Sequence, residues 1–332
     1  MSKILPAEWR KPRAILMAFP HKNSDWADDL NSALVPFIRI AQAIAYTTPV
    51  YIICEKREAI SNLFCSTTNM SFIEIATNDT WTRDYGYISI IEEGEVKLLD
   101  FKFDGWGGKF DAELDNALNR TLHKKGYLGI TPLESIDFVL EGGSIDSDGE
   151  GTLLTTTACL CNSNRNGGLS KEGVEAKLKE YLGISRVLWL DNGFLAGDDT
   201  DSHIDTLARF VSKETIVYLK CRDKEDIHYS ALEAMEEELK RFKTLDNRAY
   251  NLIPLPLPSA KFDKKSNRLP ATYANFLITD KALIFPTYSV TEDKEAYAIF
   301  KKIFPQKEII PIECSRLIEQ GGSLHCSTMQ IL

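Results

Sequence analysis

The segment Gly197-Asp198-Asp199-Thr200-Asp201-Ser202-His203-Ile204-Asp205 decides how this chain is read. It packs four carboxylates and an imidazole between a glycine and a strand-like run that starts at Arg209–Phe210. Polar side chains crowded at the mouth of an apolar strand point to a site carried on a rigid scaffold. Upstream, Val174–Leu182 has helical spacing and Arg186–Leu190 reads as a strand, and downstream Ile227–Phe242 predicts a clear helix. The same texture extends both ways. Toward the N-terminus, Arg13–Phe19 and Pro49–Cys54 read as buried strands around a helix over Ser24–Ala45, with Leu30, Leu34, Phe37 and Ala41 on one face. A helix near Glu58–Phe64 and a strand near Phe72–Ile75 follow. Toward the C-terminus come a strand at Ala282–Phe285, a helix at Glu295–Ile303 and a strand at Glu308–Ile310. Leu252–Pro258, punctuated by Pro254, Pro256 and Pro258, reads as an extended edge or loop. With roughly five such blocks and no linker, the pattern predicts one α/β domain over residues 1–332, with a hint of a ring of structural repeats.

Composition narrows the function. The 332 residues are 44% hydrophobic and 26% charged, which excludes general disorder. Against 39 Lys and Arg stand 48 Asp and Glu, a net charge of −9. Such a chain lacks the clustered cations that nucleic acid requires and suits a small cationic substrate better. The apolar run Ala14–Pro20 is too short for a signal peptide, and nothing approaches the ~20 apolar residues of a bilayer span. A cytoplasmic protein with no membrane partner is expected. The seven cysteines are odd in number and scattered, against a disulfide framework. Cys159-Leu160-Cys161, read as an alternating strand, would put both thiols on one face, but no second Cys or His pair lies nearby for zinc.

Three further islands resemble the first in texture. Asn78-Asp79-Thr80-Trp81-Thr82-Arg83-Asp84-Tyr85-Gly86 precedes the apolar run Ile88–Ile91. Leu140-Glu141-Gly142-Gly143-Ser144-Ile145-Asp146 sets a Glu before two glycines. Gly321-Gly322-Ser323-Leu324-His325-Cys326 lies near the C-terminus. Each has a plain structural reading: Arg83 and Asp84 as an ion pair in a turn, Glu141 as a turn cap, Cys326 as a small buried hydrophobe. The Asp-rich island offers hard oxygens for Ca²⁺, but it lacks the glycine and the final glutamate of the EF-hand loop. Taken together, the islands supply a nucleophile (Cys326), a proton carrier (His203) and three carboxylates (Asp84, Glu141, Asp205). Carboxylates around a thiol ordinarily raise its pKa. The set makes sense if the substrate is itself a cation. A guanidinium is planar and matches carboxylates bidentately, so two of them can turn its central carbon toward a thiolate.

On Trp81-Thr82-Arg83-Asp84, Phe103-Asp104-Gly105-Trp106-Gly107-Gly108-Lys109, Glu141-Gly142-Gly143-Ser144, Asp199 to Asp205, Asn275-Phe276 and His325-Cys326, the sequence resembles the agmatine deiminase and bacterial-type peptidylarginine deiminase family of the guanidine-modifying pentein superfamily. The likeness runs in order from about residue 8 to the end. It implies a five-bladed α/β propeller of ββαβ repeats around a central site, with no metal and no organic cofactor. It implies Cys326 as nucleophile and His203 as general acid and base. Asp84 and Asp205 would grip the guanidinium, assisted by Glu141. Asp199 would face the distal amine of the substrate, with Trp81 and Trp106 along its methylene chain and Arg83 and Asn275 among the binding residues. The implied reaction converts agmatine to N-carbamoylputrescine and ammonia through a covalent cysteine adduct, as in polyamine and putrescine biosynthesis, and the family often dimerises. Leu324 departs from the pattern, since many members carry Asn-Ile or Asn-Phe before the His-Cys pair.

Alternatives stay open on the sequence. A peptidyl- or free-arginine deiminase needs a cation for an α-carboxylate or peptide backbone, and Arg165 and Arg209 are unassigned candidates. Asp198 and Asp199 favour a distal amine instead. An amidinotransferase of the same fold differs only in whether an amine or water takes the carbon. A non-catalytic binding protein of this fold has no use for the assembled Cys, His and carboxylates. His325 is read as shaping the nucleophile's loop, and His21, His123 and His228 as surface or structural. The other cysteines are read as inert, and Glu236-Glu237-Glu238 as a solvated helix face.

Overall fold

The computed structural model describes residues 3–332. Five sheets carry the fold, and all five use one order: an antiparallel strand pair, a helix, and a strand returning parallel to the second of the pair. Ile88–Glu92, Glu95–Lys102, the helix Glu113–Lys124 and Leu133–Val139 make one such ββαβ unit. Ile145–Ser147, Thr152–Thr156, Lys171–Leu182 and Arg186–Leu190 make the next. Ala208–Ser212, Thr215–Lys220, Tyr229–Arg241 and Asn251–Pro256 follow, then Leu277–Ile278, Ala282–Thr287, Glu292–Ile303 and Glu308–Glu313. The two ends of the chain share the fifth unit. C-terminal Met329–Ile331 pairs antiparallel with Ala14–Ala18, which leads through helix Leu30–Ala45 to Val50–Cys54, with Met70–Glu74 added alongside.

Local chemistry accounts for these elements. Ile88–Glu92 and Glu95–Lys102 are joined by Glu93-Gly94, both at positive φ (54° and 90°), the two-residue turn whose twist suits a hairpin. Ser170 caps helix Lys171–Leu182 by accepting from the Gly173 N–H, and Gly183 ends it at φ 68°. The parallel strands are covered on both faces, so Ala14–Ala18 is buried throughout. Pro254 and Pro256 sit in an edge strand, where the missing N–H costs no ladder bond. Among the described residues, no helix is long and apolar enough to cross a membrane.

Three readings of the sequence are corrected. The first long helix starts at Leu30, not Ser24, because the Asp29 side chain caps Ser32 after a 3₁₀ turn at Ala27–Asp29. Cys159 is in the short helix Thr157–Leu160, begun by a Thr156 cap, so Cys159 and Cys161 do not share a strand face. Glu236 and Glu238 are buried, not solvated. Glu236 meets Lys220 and Lys240, and Glu238 accepts from the backbone N–H groups of Asp191 and Asn192.

Candidate active site

Each unit delivers a polar side chain from the segment just before its first strand. Asp84 is on the helical turn Thr82–Tyr85 ahead of Ile88, and Glu141 precedes the 3₁₀ turn Gly142–Ser144 ahead of Ile145. His203 and Asp205 flank Ile204 ahead of Ala208, Asn275 precedes Leu277, and Cys326 precedes Met329. Repetition of one structural position therefore brings together residues far apart in sequence. They pack so closely that only glycine fits among them. A Cβ on Gly143 would lie 2.6 Å from His203 Nδ1, 2.8 Å from Asp84 Oδ1 and 3.3 Å from Asp205 Oδ1.

Asp84, Glu141, His203, Asp205, Asn275 and Cys326 are all buried. Asp84 accepts from the Gly143 N–H at 2.9 Å and from Trp106 Nε1 at 3.0 Å. His203 Nδ1 is 3.5 Å from Asp84 Oδ1, and His203 Nε2 is 3.9 Å from Glu141 Oε2. Asn275 Nδ2 donates to Cys326 Sγ at 3.3 Å, while its Oδ1 accepts from the His325 N–H at 2.8 Å. Two buried polar atoms here have no partner, His203 Nε2 and Asp205 Oδ1. The imidazole nitrogen can exchange a proton, and the carboxylate oxygen can accept from a donor that enters the site.

The electrostatics agree. Burial, with Asp205 and Glu141 nearby, raises Asp84 well above the usual carboxylate range. Burial alone would raise Asp205 as well, but its bond to His325 and the charges of His325, His203 and Arg209 hold it below. Burial pulls His203 down to about 3, which leaves a neutral imidazole. Burial and then the Asp205 and Asp84 charges push the Cys326 thiol up. A cation between Asp84 and Asp205 would reverse the last effect. It would restore the ionised form of Asp84 and lower the cost of a thiolate.

A cavity of about 240 Å³ opens onto this cluster, and Cys326, Asp84, Trp81, Trp106 and Asp199 line it. Trp81 stacks near Trp26, with ring centroids 5.8 Å apart, and leaves space at Gly322 for no Cβ, which would sit 2.4 Å from its ring. Trp106 takes a left-handed φ of 57° between glycines, a strained state for a bulky residue that its bond to Asp84 helps hold. Asp25, Asp79, Asp263 and Glu319 also line the cavity, against a single cation among the described residues, Arg268. Arg268 is itself paired with Asp226 at 3.2 Å. Burial and then Asp198 raise Asp199 to about 6.

Other expectations meet a different placement. Arg83 does not line this cavity. It points to the far side, donating to Gln330 Oε1 at 2.6 Å, because neighbouring side chains on a helical turn diverge. It makes no ion pair with Asp84 among the described residues. Asp198 does not join Asp199 at the cavity, since its carboxylate is spent on Thr200 and the Ser202 N–H. Neither Arg165 nor Arg209 is available to a carboxylate. Arg165 grips Glu141 at 2.8 Å and Asp201 at 2.5 Å, and Arg209 is held by Glu8 and Asp146. His228 is structural, as read: it accepts from the Ala196 N–H. Glu141, Cys159 and His203 place possible ligand atoms within 4.8 Å of one another. Arg165 already neutralises Glu141, and burial, then Glu141, keeps the Cys159 thiol protonated, so this trio fits a metal poorly.

The sequence reading missed Glu8, which touches His325, and the cavity-wall acids Asp25, Asp79, Asp263 and Glu319. Asp79 lies within the Asn78–Gly86 island without marking itself as a wall residue, and the others carry no local motif, so only the fold gathers them.

A buried thiol, a neutral imidazole and two carboxylates under an acidic cavity have the chemistry that nucleophilic attack on a planar cation needs. Over residues 4–331 the chain matches the Porphyromonas-type peptidyl-arginine deiminase family model, and it belongs to that family. An agmatine deiminase of Stutzerimonas stutzeri is 32% identical over 98% of this chain and 94% of its own length. The structure of C. jejuni agmatine deiminase, a cysteine-to-serine variant with substrate bound, is 40% identical over 99% of this chain and 96% of that one, with a TM-score of 0.94. A Porphyromonas gingivalis structure provisionally named arginine deiminase is 46% identical over 99% of this chain and 98% of that one, with a TM-score of 0.95.

Proposed function

We propose that this protein is an agmatine deiminase, a hydrolase of C–N bonds in linear amidines, with Cys326 as its nucleophile. The observation that carries the reading is the pair of unpartnered buried atoms, Asp205 Oδ1 and His203 Nε2, beside the Cys326 thiol and Asp84. The guanidinium N–H groups would complete Asp84 and Asp205. The Cys326 thiol gives its proton to neutral His203, and the sulfur adds to the guanidinium carbon. The resulting imidazolium protonates the leaving nitrogen, the C–N bond breaks, and ammonia departs from a thiouronium adduct. His203 then takes a proton from water, whose oxygen adds to the same carbon. The C–S bond breaks and returns its electron pair to Cys326, His203 gives its proton back to that thiolate, and the remaining hydroxyl proton leaves with the ammonia as ammonium, which yields the ureido product. Proton transfer of this kind contributes ~10²–10⁴-fold. Asp199 and the other cavity acids suit the distal amine. A cytoplasmic location accords with seven unpaired cysteines. A homodimer, testable by light scattering, rests on the resemblance alone.

A second reading, free or peptidyl arginine as substrate, is favoured by one residue: Arg268, the single cation on the cavity wall among the described residues. Separate incubation with agmatine, arginine and an arginyl peptide, assayed for ammonia and ureido product, decides between them. Turnover of agmatine alone is expected. Turnover of arginine in its place would move the assignment to Arg268 as a carboxylate ligand.

A further inference from the structure

Behind the site, away from the cavity, a line of buried charge crosses the fold. His325 Nδ1 is 2.7 Å from Asp205 Oδ2, and His325 Nε2 is 2.7 Å from Glu8 Oε2. Glu8 Oε1 accepts from the Ile278 N–H at 2.8 Å, and its other oxygen also meets Arg209 Nη2. Arg209 continues to Asp146 Oδ1 at 3.2 Å and stacks on the Phe276 ring, 4.8 Å from its centroid. Glu8 is thus in the N-terminal segment yet one side chain removed from Asp205, and the reaction described above does not use it.

The ring of His325 settles what Glu8 does. Both nitrogens sit 2.7 Å from a carboxylate oxygen. A neutral imidazole has one N–H, so its other nitrogen would press a lone pair against a carboxylate. Arg209 and His325 hold Glu8 ionised, and His325, His203 and Arg209 hold Asp205 ionised, so both contacts are hydrogen bonds only when both ring nitrogens carry protons. The surrounding charges allow this. Three carboxylates, Glu8, Asp205 and Asp146, face two guanidinium groups, Arg209 and Arg83, and an imidazolium makes the cluster neutral. Burial, Arg209 and Arg83 together lower the His325 pKa, and Glu8 and Asp205 oppose them. The paired 2.7 Å contacts favour the protonated ring, because burial opposes an isolated charge but not one clamped between two anions.

We propose that Glu8 is a positioning residue of the reaction. It takes a hydrogen bond from His325 Nε2, so that Nδ1–H stays directed at Asp205 Oδ2 and the other Asp205 oxygen is held ionised and open for a guanidinium N–H. The role of Asp205 rests on the deiminase reading; the protonation of His325 does not.

The first test is the ¹⁵N spectrum of the histidine rings in the wild-type protein at pH 7, with the His325 signals assigned by their loss in His325→Asn. Two protonated ring nitrogens are expected. One unprotonated nitrogen on His325 overturns the proposal, whatever the substrate proves to be. The second test is Glu8→Gln, which removes the charge and keeps the shape. Wild-type protein is assayed first, so that a failure on agmatine counts against the function and not against Glu8. In the variant, kcat/KM falls on the order of tenfold, the loss of one charge-assisted hydrogen bond. The alkaline limb of the pH profile moves to lower pH, because His325 now loses its second proton sooner. Glu8→Gln with unchanged kcat/KM and an unmoved alkaline limb would also overturn the proposal.

Discussion

At the scale of single residues, Asp84 and the Cys326 thiol are groups whose ionisation is costly until a cation arrives, beside an Asp205 whose charge His325 supports. Cys326→Ala is expected to abolish ammonia release yet still bind agmatine, since both carboxylates remain. Equilibrium dialysis beside a turnover assay checks this, and residual turnover near wild type would end the covalent route. Asp199 lies farther out, where its carboxylate, raised to about 6, meets the cavity. Above that pH it is charged, and on the proposed reading it would attract the distal amine; below it, it is neutral. The kcat/KM profile of the free enzyme should therefore fall on the acid side of pH 6. Asp199→Asn should flatten that limb and raise KM roughly tenfold or more with a smaller change in kcat. An unchanged KM would remove Asp199 from the amine site. The sequence announced these residues because each interrupts an apolar run beside a glycine. It misplaced Arg83 and Asp198, because a run of polar residues does not say which side chain faces inward and which caps the loop.

At the scale of elements, the loops that hold the site are themselves held by buried carboxylates. Asp115, in the first turn of helix Glu113–Lys124, accepts from the Asn78 N–H at 2.7 Å and the Asp79 N–H at 3.1 Å, which fixes the loop leading to Trp81 and Asp84. Burial raises Asp115 to about 8. Unfolded, an Asp titrates near ~3.9, so the native state binds the proton more tightly. The stability from this group is full below the unfolded value, drains as pH rises between the two, and is gone above pH 8. Asp115→Asn keeps an acceptor oxygen and cannot ionise. Its thermal midpoint should exceed the wild-type value at pH 9 by several degrees and converge with it near pH 4. A variant less stable at pH 9 would show that the charged form is the one the loop requires. Strand and helix identity was legible wherever the apolar period was strong, as at Arg186–Leu190 and around Tyr229–Arg241. Short capped pieces were not. Thr157–Leu160 reads as strand by composition and is turned helical by the Thr156 cap, and Asn275 has no polar island around it.

At the scale of the whole molecule, the fold joins the two ends of the chain next to Cys326. Met329–Ile331 completes the sheet begun by Ala14–Ala18, and Cys326 lies in the loop just ahead of it. The N-terminal segment closes the other side through Glu8. The blocks of the fold were visible in sequence as a recurring texture, but this closure was not, since no periodicity says that the last strand of a chain pairs with the first long one. Closure puts the terminal strand in a place where it can act on both structure and function. Ile331 is fully buried in it, and Ile331→Ala should cost about 2–5 kcal/mol, seen as a lower urea midpoint. Leu178, equally buried on the outer helix Lys171–Leu182, provides a matched loss elsewhere when replaced by alanine. If the closing strand aligns the Cys326 loop, Ile331→Ala should lose more kcat than Leu178→Ala under conditions where both remain folded. Equal kcat in the two variants would mean that the strand closes the fold without setting the position of the thiol.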